Sequence, residues 1–205
     1  MDYDWQQARR FGIVAIAVSS IVAAAIWFGV AYLAPPISGM ETVGARMIFA
    51  LKCVSLAVLF CFALGVEAVA HERLQSAAFD PLAGHETRRL RVNLRYLQNT
   101  LEQVVIFAVG LFGLALYSAG PDAMRAVLAT TIVWILSRFA FWIGYHHSAA
   151  MRGVGAPGVI VSLLVLIFVG ARIGYDIAGM VGALAVVAAF LAIEGVLFWK
   201  TRAVG

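Results

Sequence analysis

The sequence predicts an all-α integral membrane protein, and its composition and hydropathy pattern carry that prediction. Of the 205 residues, 63% are apolar and only 13% are charged, whereas a soluble domain is roughly half apolar and about a quarter charged. The mean hydropathy is +0.93. Apolar runs of roughly 18–25 residues recur along the chain, and a helix needs about that length to cross the hydrocarbon core. This composition excludes an ordinary soluble enzyme, a disordered protein and a nucleic-acid binder.

Six runs are predicted to be membrane-spanning helices, because lipid leaves the backbone polar groups of any other open element unpaired. They cover about residues 11–33, 46–70, 100–118, 123–146, 157–175 and 177–199. Turn signals separate several of them, at Pro35-Pro36, Gly120-Pro121 and Ala156-Pro157. The boundary near Gly174 is the weakest, so a count of five spans stays open. With six spans, the last two form a tight hairpin.

Basic residues are distributed unevenly between the two sides of the membrane. With the N-terminus inside, only Arg46, Arg125 and Arg172 fall outside. The positive-inside rule then predicts that both termini are cytoplasmic. Arginine greatly outnumbers lysine, which is typical of a GC-rich bacterial genome, so the bacterial inner membrane is the expected location. The ten basic residues on the inner side are Arg9, Arg10, Arg73, Arg88, Arg89, Arg91, Arg95, Arg152, Lys200 and Arg202.

Polar residues follow one face of the third predicted helix. Spacings of three and four residues connect Arg88, Arg91, Arg95, Asn99 and Glu102, and this periodicity places all five on the same side of a helix. The last two residues lie where the apolar run begins. An ionisable group at that depth is costly unless it is paired, which makes it a candidate functional residue.

A second set of polar residues follows the fourth predicted helix. Arg138, Tyr145 and Arg152 are spaced by seven residues, or two turns, and are predicted to share a face. Arg138 lies deep for an unpaired cation. Because Glu102 lies at a comparable depth on the neighbouring helix, we expect the two side chains to form an ion pair.

Together the two patterns resemble the MAPEG superfamily, the membrane-associated proteins in eicosanoid and glutathione metabolism. The stretch Phe79–Gly84 resembles the loop before the first motif in bacterial members. The resemblance implies a homotrimer of four-helix protomers, with glutathione as co-substrate bound between protomers near the cytoplasmic side. On this basis residues 46–175 are the four-helix membrane domain. Residues 1–45 add an N-terminal anchor helix and loop, and residues 176–205 add a C-terminal transmembrane helix and tail.

The resemblance also implies roles for individual residues. Arg152 matches the arginine that stabilises the glutathione thiolate. Lowering a thiol pKa from about 8.5 by two units takes roughly 2.7 kcal/mol, which a guanidinium in a partly dehydrated crevice supplies. Two positions depart from the pattern: Phe141 stands where a family tyrosine contacts the ligand, and Gln103 stands where some members have a second tyrosine. Ligand-binding positions are matched by Arg95, Asn99, Glu102, Arg138, Tyr145 and Arg73.

The expected function is that of a membrane-bound glutathione-dependent transferase or peroxidase, in which the thiolate attacks a lipophilic electrophile at the cytoplasmic boundary. The two departures leave open whether catalysis is retained. One alternative is a non-catalytic membrane protein that binds lipid or an amphiphile between protomers. Another is a transporter, but Lys52, Glu67 and Glu194 share no spacing that would form a proton relay. The four histidines show no metal-ligand spacing, so no metal is expected.

Overall fold

Five long helices make up most of the computed structural model, which describes residues 5–202. The outer ends of the first and last predicted segments, residues 1–4 and 203–205, lie outside the described part. Within it there are no strands, and the prediction of an all-α membrane protein is confirmed. Shorter helical turns cover Ala77–Phe79, Gly120–Ala123 and Met151–Gly155. The long helices are α1 (Trp5–Leu33), α2 (Val43–Leu74), α3 (Arg88–Tyr117), α4 (Arg125–His147) and α5 (Ala156–Arg202).

Side-chain caps fix where α2 and α3 begin. The Thr42 hydroxyl accepts a hydrogen bond from the Ala45 amide at 3.1 Å, and the Thr87 hydroxyl accepts one from the Leu90 amide at 3.0 Å. Each cap satisfies one of the amides that lack a partner in the first turn of a helix. The cap at Thr87 starts α3 well before its apolar run, so the arginine-rich segment is helical.

The core lies between α2, α3, α4 and the first half of α5, and the outer faces of the helices remain apolar. Phe107 of α3 stacks on Trp134 of α4, with ring centroids 4.6 Å apart. In α2, residues Val58–Ala63 form a π-helical segment, and its Cys61 carbonyl accepts a hydrogen bond from the Tyr96 hydroxyl at 2.8 Å. Large apolar side chains stay exposed along every long helix, as a surface in contact with lipid requires.

One end of the bundle carries the polar contacts between helices and is called here the arginine-rich end. It comprises the beginnings of α1 and α3, the ends of α2 and α4, and the turn Met151–Gly155. The Glu72 carboxylate accepts hydrogen bonds from Arg89 and from the Thr87 hydroxyl. The Arg88 guanidinium donates to the His146 carbonyl at 2.9 Å. These contacts hold the ends of α2, α3 and α4 together.

The helix α5 contains the last two predicted spans and reverses direction within them. Backbone dihedrals are non-helical at Ala178 and Gly179, where Gly179 has a φ of 61°. In a straight helix Gly174 and Gly182 would lie about 12 Å apart. Instead, a Cβ atom added to Gly174 would lie 2.5 Å from the Gly182 carbonyl oxygen. The two arms therefore fold back on each other. By length and composition the described residues contain five helices that could cross a membrane, so the six predicted spans are not confirmed.

The first helix packs along the outside of the bundle. The Trp27 indole N–H donates to the Thr130 hydroxyl of α4 at 3.1 Å. At the arginine-rich end, a Cβ atom added to Gly153 would lie 3.0 Å from the Gly12 carbonyl oxygen. The helix α1 thus supports the turn Met151–Gly155 from one side.

The same turn packs against α4 through two glycines. A Cβ atom added to Gly144 would lie 2.9 Å from the Met151 carbonyl carbon, and one added to Gly155 would lie 2.8 Å from the Ser137 carbonyl oxygen and closer still to Phe141. Neither position has room for a side chain. The backbone of the turn therefore lies directly on α4.

We predict that Gly155→Ala loosens this packing and lowers the stability of the protein. Overpacking of this kind costs about 1–3 kcal/mol, which shifts the thermal midpoint in detergent by several degrees. The matched control is Gly29→Ala in α1, because a Cβ atom there meets nothing within 4 Å. An equal shift in both variants would contradict the close packing of the turn.

Candidate functional site

A cleft of about 480 Å³ opens at the arginine-rich end. Three elements line it: α3, the last turns of α4, and the turn Met151–Gly155 with the start of α5. Five of the side chains predicted to form a site are brought together here. The lining residues are Arg95, Gln98, Asn99, Glu102, Gln103, Phe141, Tyr145, Arg152, Gly153, Gly155, Ala156 and Val159.

Arg152 reaches the cleft from the turn and not from a face shared with Arg138 on α4. The helix ends at His147, because Ser148 has extended dihedrals of φ −158° and ψ 162°. The Ser148 hydroxyl then accepts a hydrogen bond from the Met151 amide at 3.2 Å and starts the next turn. The expectation that Arg138, Tyr145 and Arg152 share one helical face is therefore wrong. The Arg152 guanidinium carbon still lies 5.9 Å from the centroid of the Tyr145 ring.

Arg138 is fully buried and does not line the cleft. It does not pair with Glu102, so that expectation is also wrong. Its guanidinium donates to the Gln103 amide oxygen at 2.9 Å and to the Thr100 hydroxyl at 3.2 Å. The Phe141 ring covers it, with the guanidinium carbon 4.5 Å from the ring centroid. Neutral acceptors and an aromatic face, not a carboxylate, compensate this buried charge.

Glu102 is exposed in the cleft and contacts a different partner. Its carboxylate accepts a hydrogen bond from the Gln98 side-chain amide at 3.3 Å, and the Gln98 amide oxygen accepts one from Arg95 at 3.2 Å. Gln98 thus bridges a cation and an anion along one face of α3. Sequence reasoning missed it, although it lies three residues after Arg95 and four before Glu102, which are helical spacings.

Other arginines of the arginine-rich end, among them Arg88, Arg91 and Arg73, lie outside the cleft lining. Arg88 donates to the His146 carbonyl, and Arg91 is exposed one turn before Arg95. Arg73 lies near the end of α2 and does not line the cleft of the single chain. The predicted five-residue stripe of α3 therefore contributes only Arg95, Asn99 and Glu102 to the cleft.

The cleft combines two cations, one anion and several neutral hydrogen-bonding groups with apolar lining residues such as Phe141 and Val159. Arg95 and Arg152 carry permanent positive charge, since a guanidinium does not lose its proton in proteins. Glu102 supplies a carboxylate, and Tyr145 supplies a hydroxyl. Such a set fits a small ligand that has more than one carboxylate and one ammonium group, because arginine forks match carboxylates. Among residues 5–202, no three His, Cys, Asp or Glu side chains are grouped as metal ligands.

A second cavity, of about 460 Å³, lies between α1 and the bundle. It is almost entirely apolar. Trp27 and Phe28 of α1 line one side, and Val133 of α4 and Phe168 of α5 line others. The only hydroxyl in this lining belongs to Ser20. No residue lines both this cavity and the polar cleft, so the two are separate.

A comparison with known protein families shows to which family the chain belongs. The model of the MAPEG family matches residues 47–175, which is more than half of the sequence. The chain belongs to the MAPEG family. The match starts within α2 and ends within α5, so it includes every residue that lines the cleft.

The individual proteins that this MAPEG protein resembles share only modest sequence identity with it. Transmembrane protein 79 of the mouse is 24% identical over 157 residues, or 74% of this chain, and the cattle protein of that name is 26% identical over 145 residues, or 68%. An uncharacterized protein of Synechocystis is 36% identical over 75 residues. The chain covers 39%, 36% and 52% of these three proteins, respectively. No solved structure matches it.

The arrangement of the arginines is open to a chemical test. We predict that phenylglyoxal modifies Arg95 and Arg152, which are exposed in the cleft, and spares Arg138, which is fully buried. Peptide mass spectrometry of the folded protein in nanodiscs measures the modified fraction at each position. Modification of Arg138 at a rate comparable with Arg152 would contradict its burial.

Proposed function

We propose that the protein binds glutathione in the polar cleft and stabilises its thiolate for reaction with a lipophilic electrophile. The observation that carries the proposal is the meeting of Arg95, Asn99, Glu102, Tyr145 and Arg152 in one cleft of a MAPEG protein. Glutathione has two carboxylates, one ammonium group and one thiol. The cleft offers two guanidinium groups, one carboxylate and further donors.

Arg152 is the proposed thiolate partner. It is exposed in the cleft beside the Tyr145 ring, on a turn that α4 and α1 support from two sides. A cation held in such a position favours the anionic thiolate over the thiol. Arg95 and Asn99 are the proposed carboxylate ligands, and Glu102 is the proposed partner of the ammonium group.

Oligomerisation and membrane orientation are part of the same proposal. MAPEG proteins are typically trimers, and in a trimer a neighbouring protomer contributes to each site. Arg73, which does not line the cleft of the single chain, is proposed to act across such an interface. The unequal distribution of basic residues supports cytoplasmic termini and a cleft that faces the cytoplasm, and the excess of arginine over lysine supports a bacterial inner membrane.

A second candidate function is non-catalytic binding of a lipid or another amphiphile. The apolar cavity between α1 and the bundle favours it, because it has room for an acyl chain. Phe141 also favours it, since a phenyl ring in the cleft offers no hydrogen-bond donor to a polar ligand. Retention of lipid by the purified protein without any thiolate signal would support this function over the first.

We predict that adding glutathione to the purified protein produces thiolate absorbance at neutral pH. Arg152→Ala should reduce the signal at least tenfold, because a free thiol with a pKa near 8.5 is only a few per cent thiolate under these conditions. Arg95→Ala should weaken glutathione binding by a similar factor through loss of a charged hydrogen bond, which contributes about 1.5–3 kcal/mol.

Arg91→Ala is the matched control. It removes the same charge from α3, but its side chain does not line the cleft. The proposal expects it to retain both binding and thiolate signal. Unchanged binding in Arg95→Ala and Arg152→Ala, or an equal loss in Arg91→Ala, would overturn the assignment of the site.

A further inference from the structure

Buried Arg138 dictates the orientation of the Gln103 side-chain amide. A guanidinium carries only donors, so the group that faces it must be an acceptor. The Gln103 amide oxygen lies 2.9 Å from Nη1 of Arg138 and accepts this hydrogen bond. The opposite orientation would bring an NH₂ group against a buried cation. The Gln103 nitrogen therefore points away from Arg138.

The orientation of the Gln103 amide fixes the orientation of the Asn99 amide. Its nitrogen donates to the Asn99 amide oxygen at 3.0 Å, one turn back along α3. The oxygen and nitrogen of a planar amide point in different directions. With its oxygen held against Gln103, Asn99 has its own NH₂ group directed away from Gln103, and its side chain lines the cleft.

We propose that Gln103 is a positioning residue for ligand recognition. It couples the buried Arg138 charge to Asn99, so that Asn99 presents an N–H donor to a carboxylate of the ligand. The proposal rests on the proposed glutathione function and deepens it, because it adds a selectivity for carboxylate at one subsite. Without the coupling, Asn99 could present its oxygen instead, and that oxygen would repel a carboxylate.

The second amide on this surface acts differently. Gln98 is exposed and connects Arg95 to Glu102, both of which are themselves charged groups in the cleft. Gln103 is partly buried and connects the cleft to a charge that no ligand in it touches. Only the Gln103 connection is therefore fixed from the interior of the protein.

The test substitution reverses the orientation of the Asn99 amide and still provides an acceptor for Arg138. Gln103→Glu retains an oxygen for Arg138, but a carboxylate has no donor for Asn99. The Asn99 NH₂ group should then turn to the new carboxylate and leave its oxygen facing the cleft. We expect S-hexylglutathione, a thiol-independent probe, to bind about tenfold more weakly or worse by isothermal titration calorimetry. The matched control is Gln75→Glu, the same substitution at an exposed position beyond α2, which should bind within about twofold of the unmodified protein.

A cycle with modified probes separates positioning from a merely structural effect. The glycyl ethyl ester and the γ-glutamyl α-amide of S-hexylglutathione each lack one carboxylate. Removal of the probe carboxylate that contacts Asn99 should lower the affinity of the unmodified protein about tenfold. The same removal should lower the affinity of Gln103→Glu only slightly, because the substitution has already removed that interaction. Asn99→Asp accepts from Gln103 without any rotation but offers the ligand no donor, so it should show the same loss, and unchanged binding of S-hexylglutathione to this variant would also overturn the proposal.

Each outcome decides a different claim. Binding of S-hexylglutathione to Gln103→Glu within twofold of the unmodified protein would overturn the proposal, and so would an equal loss for all three probes. Normal probe binding without a thiolate signal from glutathione would overturn the proposed transferase function and leave the coupling to be decided by the cycle. No binding of either compound to the unmodified protein would overturn both.

Discussion

A fully buried guanidinium between α3 and α4 is the constraint on which the cleft depends. Placing a charged side chain at the centre of a membrane helix costs about 2.5–3.5 kcal/mol on insertion scales, so its surroundings must compensate it. Arg138 finds its acceptors on α3, in Gln103 and Thr100, and aromatic faces in Tyr96 and Phe141. These contacts fix how α4 lies against α3. They also fix which atoms of α3 are left for the cleft.

The turn that carries Arg152 depends on a second constraint, the absence of side chains at its contacts. Gly144 and Gly155 let the turn lie directly on α4, and Gly153 lets α1 approach it from the other side. The helix α1 lies outside the part of the chain that matches the family, yet it contacts the turn beside a residue of the cleft. The helix α1 therefore supports the turn that lines the cleft.

Much of the architecture could be predicted from the sequence because apolar runs and helical periodicity are local signals. Arg95, Asn99 and Glu102 share a face of α3 as their spacing of four and three residues requires. The errors concern features that only packing determines. The seven-residue spacing of Arg152 from Tyr145 does not place them on one helical face, because the helix ends before Ser148, whose backbone is extended. Glu102 and Arg138 do not form the expected ion pair, because Glu102 lines the cleft whereas Arg138 is buried against Gln103 and Thr100.

The hydrogen bond between Gln103 and Arg138 could not be predicted from the sequence for a related reason. In the sequence, Gln103 is only a departure from the family's tyrosine. Its role as an acceptor for buried Arg138 depends on packing between α3 and α4, which the sequence does not show. Gln98 carried a usable signal in its spacing from Arg95 and Glu102. By contrast, the reversal of α5 at Ala178–Gly179 lies within a few residues of the predicted boundary near Gly174, and the glycines there pack the two arms together without a long polar loop.

The most direct test of the central claim is a cryo-electron microscopy structure of the protein in nanodiscs saturated with glutathione. We predict ligand density in the cleft between α3 and the turn Met151–Gly155, with carboxylate contacts to Arg95 and Asn99 and the sulfur beside Arg152. An empty cleft at saturating glutathione, or density confined to the apolar cavity beneath α1, would contradict the account.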